Sequence, residues 1–210
     1  MSVGTQWFLT EFRLSGRCKS ENYRDRRAPV VSSQIQPPRS DQQESANMKK
    51  LAIVYHSLTG GTKAMAQAVA DGAQQVGEVQ TTLLHASEAG PKDLLDAHGY
   101  VFATPETLAS IAGLMKDFFD RSYYPVLGQI NARPYAALVC AGSDGTQAAK
   151  QLERIATGWR LKAIAPTHIV CTHAQSTDAI LAQKTIAEND LQHCRELGES
   201  FANGLAMGVF

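Results

Sequence analysis

No apolar run in this chain of 210 residues approaches the roughly 20 needed to span a bilayer. None of its cysteines, Cys18, Cys140, Cys171 and Cys194, forms a Cys-x-x-Cys pair, and no His/Cys cluster has zinc spacing. This cysteine usage fits reduced thiols, the ordinary state in the cytoplasm. Net charge is missing as well, with 20 Lys/Arg against 20 Asp/Glu. Residues 1–47 hold 7 basic and 5 acidic side chains, leaving 13 and 15 for the remainder, a net of −2. There is no basic excess of the kind a nucleic-acid surface shows. Nor is there the strong single-sign field through which a dedicated electron shuttle docks. Two phosphate signatures are absent too: the Gly-x-x-x-x-Gly-Lys-Ser/Thr loop of nucleoside triphosphatases and the Gly-x-Gly-x-x-Gly dinucleotide fingerprint.

What is present begins after residue 47. Residues 1–47 are polar, contain Pro and have no period, as in Gln34-Ile-Gln-Pro-Pro38, and are expected to be largely disordered. Trp7-Phe8-Leu9 is too short for a signal-peptide core. Met48-Lys-Lys-Leu looks like a translation start, so this segment is either an upstream extension from a misplaced start codon or a flexible tail. From Lys49 the pattern alternates. Strands are expected at Leu51–Tyr55, Glu78–Leu84, Gly99–Ala103 and Pro134–Ala141, with a fifth inside Lys162–Cys171 and Pro166 in or beside it. Helices are expected over 61–76, around Ile111–Phe119, over Ala148–Trp159 and as one long final helix over 177–207, with a short turn at Pro91–Asp96. Five strands separated by helices imply a parallel sheet covered on both faces. Ligands of such sheets bind beyond the carboxyl ends of the strands, where the strand order switches.

The loop after the first strand is His56-Ser-Leu-Thr-Gly-Gly-Thr62. It combines hydroxyls at Ser57, Thr59 and Thr62 with Gly60 and Gly61, directly before a helix whose first N–H groups lack intrahelical partners. That is a chemical recipe for a phosphate site; the plainer alternative is an ordinary helix cap. After the third strand comes Thr104-Pro105-Glu106-Thr107-Leu108-Ala109-Ser110. The residue before a proline is held extended, so this loop is able to present backbone groups to the edge of a flat ring. The alternative is a plain connection capped by Thr107 or Ser110. After the fourth strand, Gly142-Ser143-Asp144-Gly145 permits tight backbone geometry, and either borders a ligand or caps the next helix.

Ser57-x-Thr-Gly-Gly-Thr62 resembles the phosphate loop of flavodoxin-like proteins, whose ligand is flavin mononucleotide (FMN). Ala103-Thr-Pro105 followed by Met115-Lys-Asp-Phe-Phe-Asp-Arg121 resembles the second flavin loop of NAD(P)H:quinone oxidoreductases of the tryptophan-repressor-binding-protein type, and of the wider NADPH-dependent FMN reductase family. Relatives usually carry Gly-Thr-Pro, an aromatic and a Gly; here Ala103, Leu108 and Ala109 or Ser110 stand at those places. The resemblance implies a flavodoxin-like three-layer sandwich with strand order 2-1-3-4-5. It implies FMN bound by Ser57–Thr62, Thr104–Leu108 and Gly142–Gly145, with NAD(P)H as co-substrate. It also implies a small-molecule electron acceptor such as a quinone or free flavin, and a homodimer or homotetramer. The alternatives are an electron carrier without nicotinamide activity and a regulatory domain that has lost the cofactor. No catalytic residue is assigned, because the cofactor carries the chemistry. His56 reads as a structural histidine at the loop mouth, Cys140 and Cys171 as core thiols, Trp159 as packing and Lys63 as a solvated helix residue.

Overall fold

The computed structural model describes residues 48–210; the readings made for 1–47, Cys18 included, lie outside the described residues. The first strand, β1 (Lys49–Tyr55), is followed by helix α1 (Gly61–Gln74), β2 (Val79–His85), the short α2 (Pro91–Asp96) and β3 (Gly99–Thr107). Then come β4 (Ser110–Ile111), α3 (Gly113–Val126), β5 (Pro134–Ala141) and α4 (Thr146–Gly158). The chain ends with β6 (Lys162–Ala163), β7 (His168–Cys171), α5 (Thr177–Leu181) and α6 (Glu188–Ala206).

β1 pairs in parallel with β2 on one side and β3 on the other; β3 pairs with β5, and β5 with β6 and β7. The expected order 2-1-3-4-5 is therefore present, with β5 as its fourth strand. Its fifth is split into β6 and β7 around Pro166, which has no N–H to give a ladder. Side chains alternate between two cores, as a period of two requires. Leu51, Ile53, Val101, Ala103 and Leu138 face α1 and α6. Ala52, Val54, Phe102, Ala137 and Val139 face α3 and α4. Trp159 is buried among Phe102, Phe118 and Phe119, in the packing role expected of it.

Two expectations change. β3 does not stop at Ala103 but runs to Thr107 and turns back into antiparallel β4. The turn residues Leu108 and Ala109 hold left-handed φ values of 51° and 55°, the geometry that brings two adjacent strands together. The hairpin is pinned by Gln151, whose Oε1 accepts from Ser110 Oγ (2.6 Å) and Ile111 N (3.0 Å). The final helix is not continuous either: α5 ends at Leu181 and α6 starts at Glu188, with a strap between them. Ile186 on that strap is buried beside α1, which removes it from any helical face the sequence suggested.

Candidate functional site

At the carboxyl ends of β1, β3 and β5 the structure forms a cavity of about 530 Å³, within the usual size of small-molecule sites. Ser57, Leu58, Thr59 and Thr62 line it from the first loop, Pro105, Glu106, Thr107 and Leu108 from the second, and Gly142 and Ser143 from the third. β1 and β3 are the neighbours from which the strand order runs in opposite directions, so the cavity stands at the topological switch point.

The remaining predicted residues shape the cavity from behind. Gly60 takes φ 88° as the residue before α1, a conformation that a Cβ disfavours. Its N–H donates to Ser57 Oγ (3.1 Å). Gly61 is packed so closely that an added Cβ would stand 2.7 Å from Cys140 Sγ. Thr104 is buried, accepts from Ala112 N (3.1 Å) and donates to Pro105 O (3.0 Å). Asp144 accepts from the Thr146 hydroxyl, and Gly145, at φ 80°, gives its N–H to Glu106 Oε2 (2.9 Å).

None of α1, α3 and α4 is capped by the side chain of its own preceding residue. Of the loop side chains that a plain cap would use, Ser57 takes the Gly60 N–H, while among the described residues Thr107, Ser110, Ser143 and Asp144 accept no backbone N–H of the helix that follows them. The ladder of α1 begins with Ala64 N donating to Gly60 O (2.9 Å), which leaves the N–H groups of Gly61, Thr62 and Lys63 without an intrahelical carbonyl. Thr62 is 1% exposed, and its Oγ1 has no hydrogen-bond partner. A buried unpaired hydroxyl costs about 1–3 kcal/mol. An orphaned donor beside free helix N–H groups is what a phosphate oxygen would satisfy, so these residues fit the phosphate of FMN. In place of its own loop hydroxyls, α4 is capped from across the cavity. The Glu106 carboxylate accepts from Gly145 N and, at 3.5 Å, from Ala148 N.

Several lining residues escaped the sequence reading: Cys140, Ala141, Thr172, Ala174, Gln175, Ile180 and Lys184. Cys140 is the floor of the cavity. Burial pushes its thiol up, offset only in part by Lys184 and by the Thr62 hydroxyl, which lies near the sulfur without a hydrogen bond of good geometry. Lys184 N donates to Thr59 O (2.7 Å) and holds the strap against the loop after β1. Its ammonium donates to the carbonyls of Ala179 (2.6 Å), Ile180 (2.8 Å) and Ala182 (2.6 Å) at the end of α5. Among the lining residues Lys184 is the one cation, and none is aromatic. His56 is outside the cavity wall: it is buried, with Nδ1 3.1 Å from His85 Nε2, while His85 Nδ1 meets Ser87 Oγ at 2.7 Å. Burial, then the facing His85, lowers the His56 pKa.

The layered sheet and the switch-point cavity define an α/β protein of flavodoxin type. A flavodoxin structure from the domain Archaea superposes with a TM-score of 0.61 at 20% identity, covering 74% of this chain and 98% of that one. The flavodoxin WrbA-like protein from Agrobacterium tumefaciens gives 0.55 at 21%, covering 76% and 98%. In sequence, a flavodoxin of Aquifex aeolicus (strain VF5) is 27% identical over 166 residues, 77% of this chain and 90% of that protein. An NAD(P)H dehydrogenase (quinone) of Acidithiobacillus ferrooxidans (strain ATCC 53993 / BNL-5-31) is 32% identical over 95 residues; these make up 36% of this chain and 48%, about half, of that relative. The sequence model of the NADPH-dependent FMN reductases matches residues 48–177, and this chain belongs to that family.

Proposed function

We propose that this chain binds FMN and uses NAD(P)H to pass electrons to a quinone or flavin-type acceptor. The observation that carries the reading is the unpartnered Thr62 hydroxyl, buried among free α1 N–H groups at one end of the cavity. The phosphate is assigned to Ser57–Thr62, where the helix N-terminus stabilises negative charge. The ring is assigned to the side walled by Thr104–Leu108 and Gly142–Gly145. Bound FMN supplies a carrier of two electrons between a nicotinamide and a second acceptor. The protein's part is to hold and orient that carrier. The β3–β4 hairpin fixes Pro105 to Leu108, and the Gly60 and Gly145 turns bring backbone close to the ligand. Leu58 and Leu108, 68% and 97% exposed, rim the cavity with apolar surface suited to a flat acceptor.

The likeness to the Aquifex aeolicus flavodoxin over 166 residues favours a second reading, an FMN-binding electron carrier with no nicotinamide activity. One experiment separates the two. Protein incubated with FMN and repurified is scanned in the visible range, then mixed anaerobically with NADPH or NADH. Retained flavin bands that bleach support the oxidoreductase. Bands that bleach only with a chemical reductant support the carrier. No retained flavin refutes both.

A further inference from the structure

We propose that the amino-terminal end of the sheet carries a binding site for a phosphate or sulfate group, formed by Lys49, His98 and Arg133. The three side chains line a second cavity of about 210 Å³, with Asn131 beside them and Leu205 and Phe210 as an apolar wall. It lies where β1, β3 and β5 begin, whereas the cavity described above lies where they end. The site is independent of the FMN reading.

No Asp or Glu lines this cavity, and among the described residues none of the three basic side chains forms an ion pair. They gather in a stretch, 48–210, that holds 13 Lys/Arg against 15 Asp/Glu. Arg133 is fixed in place: its Nη1 donates to Leu94 O (2.8 Å), Leu95 O (2.9 Å) and Ala97 O around the end of α2. Among the described residues its Nε and Nη2 have no hydrogen-bond partner. His98 Nδ1 accepts from Lys50 N (3.1 Å), which leaves Nε2 to carry the proton of the neutral ring. Burial, then Lys49, Arg133 and Lys50, lowers the His98 pKa, so these cations are close enough to repel a further positive charge. Asp93 and Asp96 stand with Lys50 in a separate groove beside β2. An anion relieves the repulsion and takes charge-assisted hydrogen bonds from ammonium, guanidinium and imidazole. The cavity is smaller than the roughly 300–1,000 Å³ of sites that enclose a drug-sized molecule. It therefore selects a compact tetrahedral anion, free or as the head of an ester, over a whole nucleotide.

The test follows the six histidines by proton NMR of their imidazole rings, with His98 assigned through His98→Gln. The parent protein is titrated at pH 7 with sodium sulfate, inorganic phosphate and phenyl phosphate, sodium chloride holding the ionic strength constant. The His98 signals should move and saturate in the millimolar range, and the midpoint of the His98 titration should rise in sulfate. Lys49→Gln should weaken sulfate binding about fivefold, the upper end for one exposed ion pair. Lys49→Arg should restore it, and Lys150→Gln, at an exposed position of α4, should leave it unchanged. Phenyl phosphate binding more tightly than phosphate assigns the site to an ester whose apolar part meets Leu205 and Phe210; equal binding assigns it to the free anion, and either upholds the proposal. His98 signals that stay still, or that drift without saturating as with an adventitious ion only, overturn it. So does movement at His56 alone, which would place the anion at the other end of the sheet. Equal weakening by Lys49→Gln and Lys150→Gln overturns it as well, because the effect would then belong to the general field.

Discussion

Replacing Gly198 or Gly72 by alanine is expected to destabilise the protein, although alanine is the better helix former. α1 and α6 cross with their backbones almost touching. A Cβ on Gly198 would stand 2.0 Å from Val69 O and 2.8 Å from its carbonyl carbon, and one on Gly72 would stand 2.0 Å from Arg195 O. These obstacles are backbone, so no side chain is free to rotate away. The helices must separate by more than about 1 Å, enough to forfeit a quarter to a half of each dispersion contact across the interface. Met65, Val69 and Ala73 on α1 and Cys194, Phe201 and Leu205 on α6 would all loosen. Overpacking of this kind costs about 3 kcal/mol, and the gain in helix propensity returns about 1 kcal/mol. The net loss of about 2 kcal/mol lowers the melting temperature by about 4–8 °C. The double variant should lose less than the sum of the two, because one separation relieves both clashes. Gly158→Ala is the control: it ends α4, nothing lies within 4 Å of its Cβ, and it should gain about 0.4–1 kcal/mol. Thermal and urea unfolding monitored by circular dichroism read the four variants beside the parent. A Gly198→Ala or Gly72→Ala variant that melts at or above the parent refutes the reasoning.

Other expectations concern the site and pH. Thr62→Val removes the orphaned hydroxyl, so the ligand-free protein should gain about 1 kcal/mol while FMN binding weakens at least about tenfold and riboflavin binding does not; parallel melts and titrations check both halves. Lys184→Met should release the strap from the carbonyls of α5 and lower the preference for FMN over riboflavin several-fold; faster proteolysis between Thr177 and Ala187 is the second readout. Burial above all, and after it the facing positive groups, lowers the pKa of His56, His98 and His168 below 6.5. The unfolded chain takes up protons that these sites refuse, so their contribution is fully present above about pH 6.5 and is lost as pH falls through the lower folded values. A melting temperature unchanged between pH 7 and pH 5 would contradict this.

The strands, the two-sided sheet and the order of the three loops were legible because period-two apolar runs, Pro and Gly are local signals. The β3–β4 hairpin was not. Its turn uses Leu108 and Ala109 at positive φ, with neither the Asn-Gly nor the Asp-Gly pair that marks such turns. The break between α5 and α6 had a signal that went unread: Glu188 and Asp190 crowd one turn, as at a helix start. Glu106 was picked out as a ring neighbour, but its cap on α4 depends on a contact between two loops, which no spacing rule reports. Thr172, Ala174 and Gln175 reach the cavity because β7 lies beside β5. Once that adjacency is known, the loop after β7 is an obvious wall.

The strap that Lys184 holds on Thr59 has a consequence for how the molecule is made. Among the described residues the loop after β1 is synthesised well before the strap that covers it. While the chain is still growing, Gly61 lacks Lys184 and Ile186 against it, and α1 lacks α6. During synthesis the loop after β1 therefore stands without its wall, which is complete only once the strap and α6 have docked on Gly61 and α1.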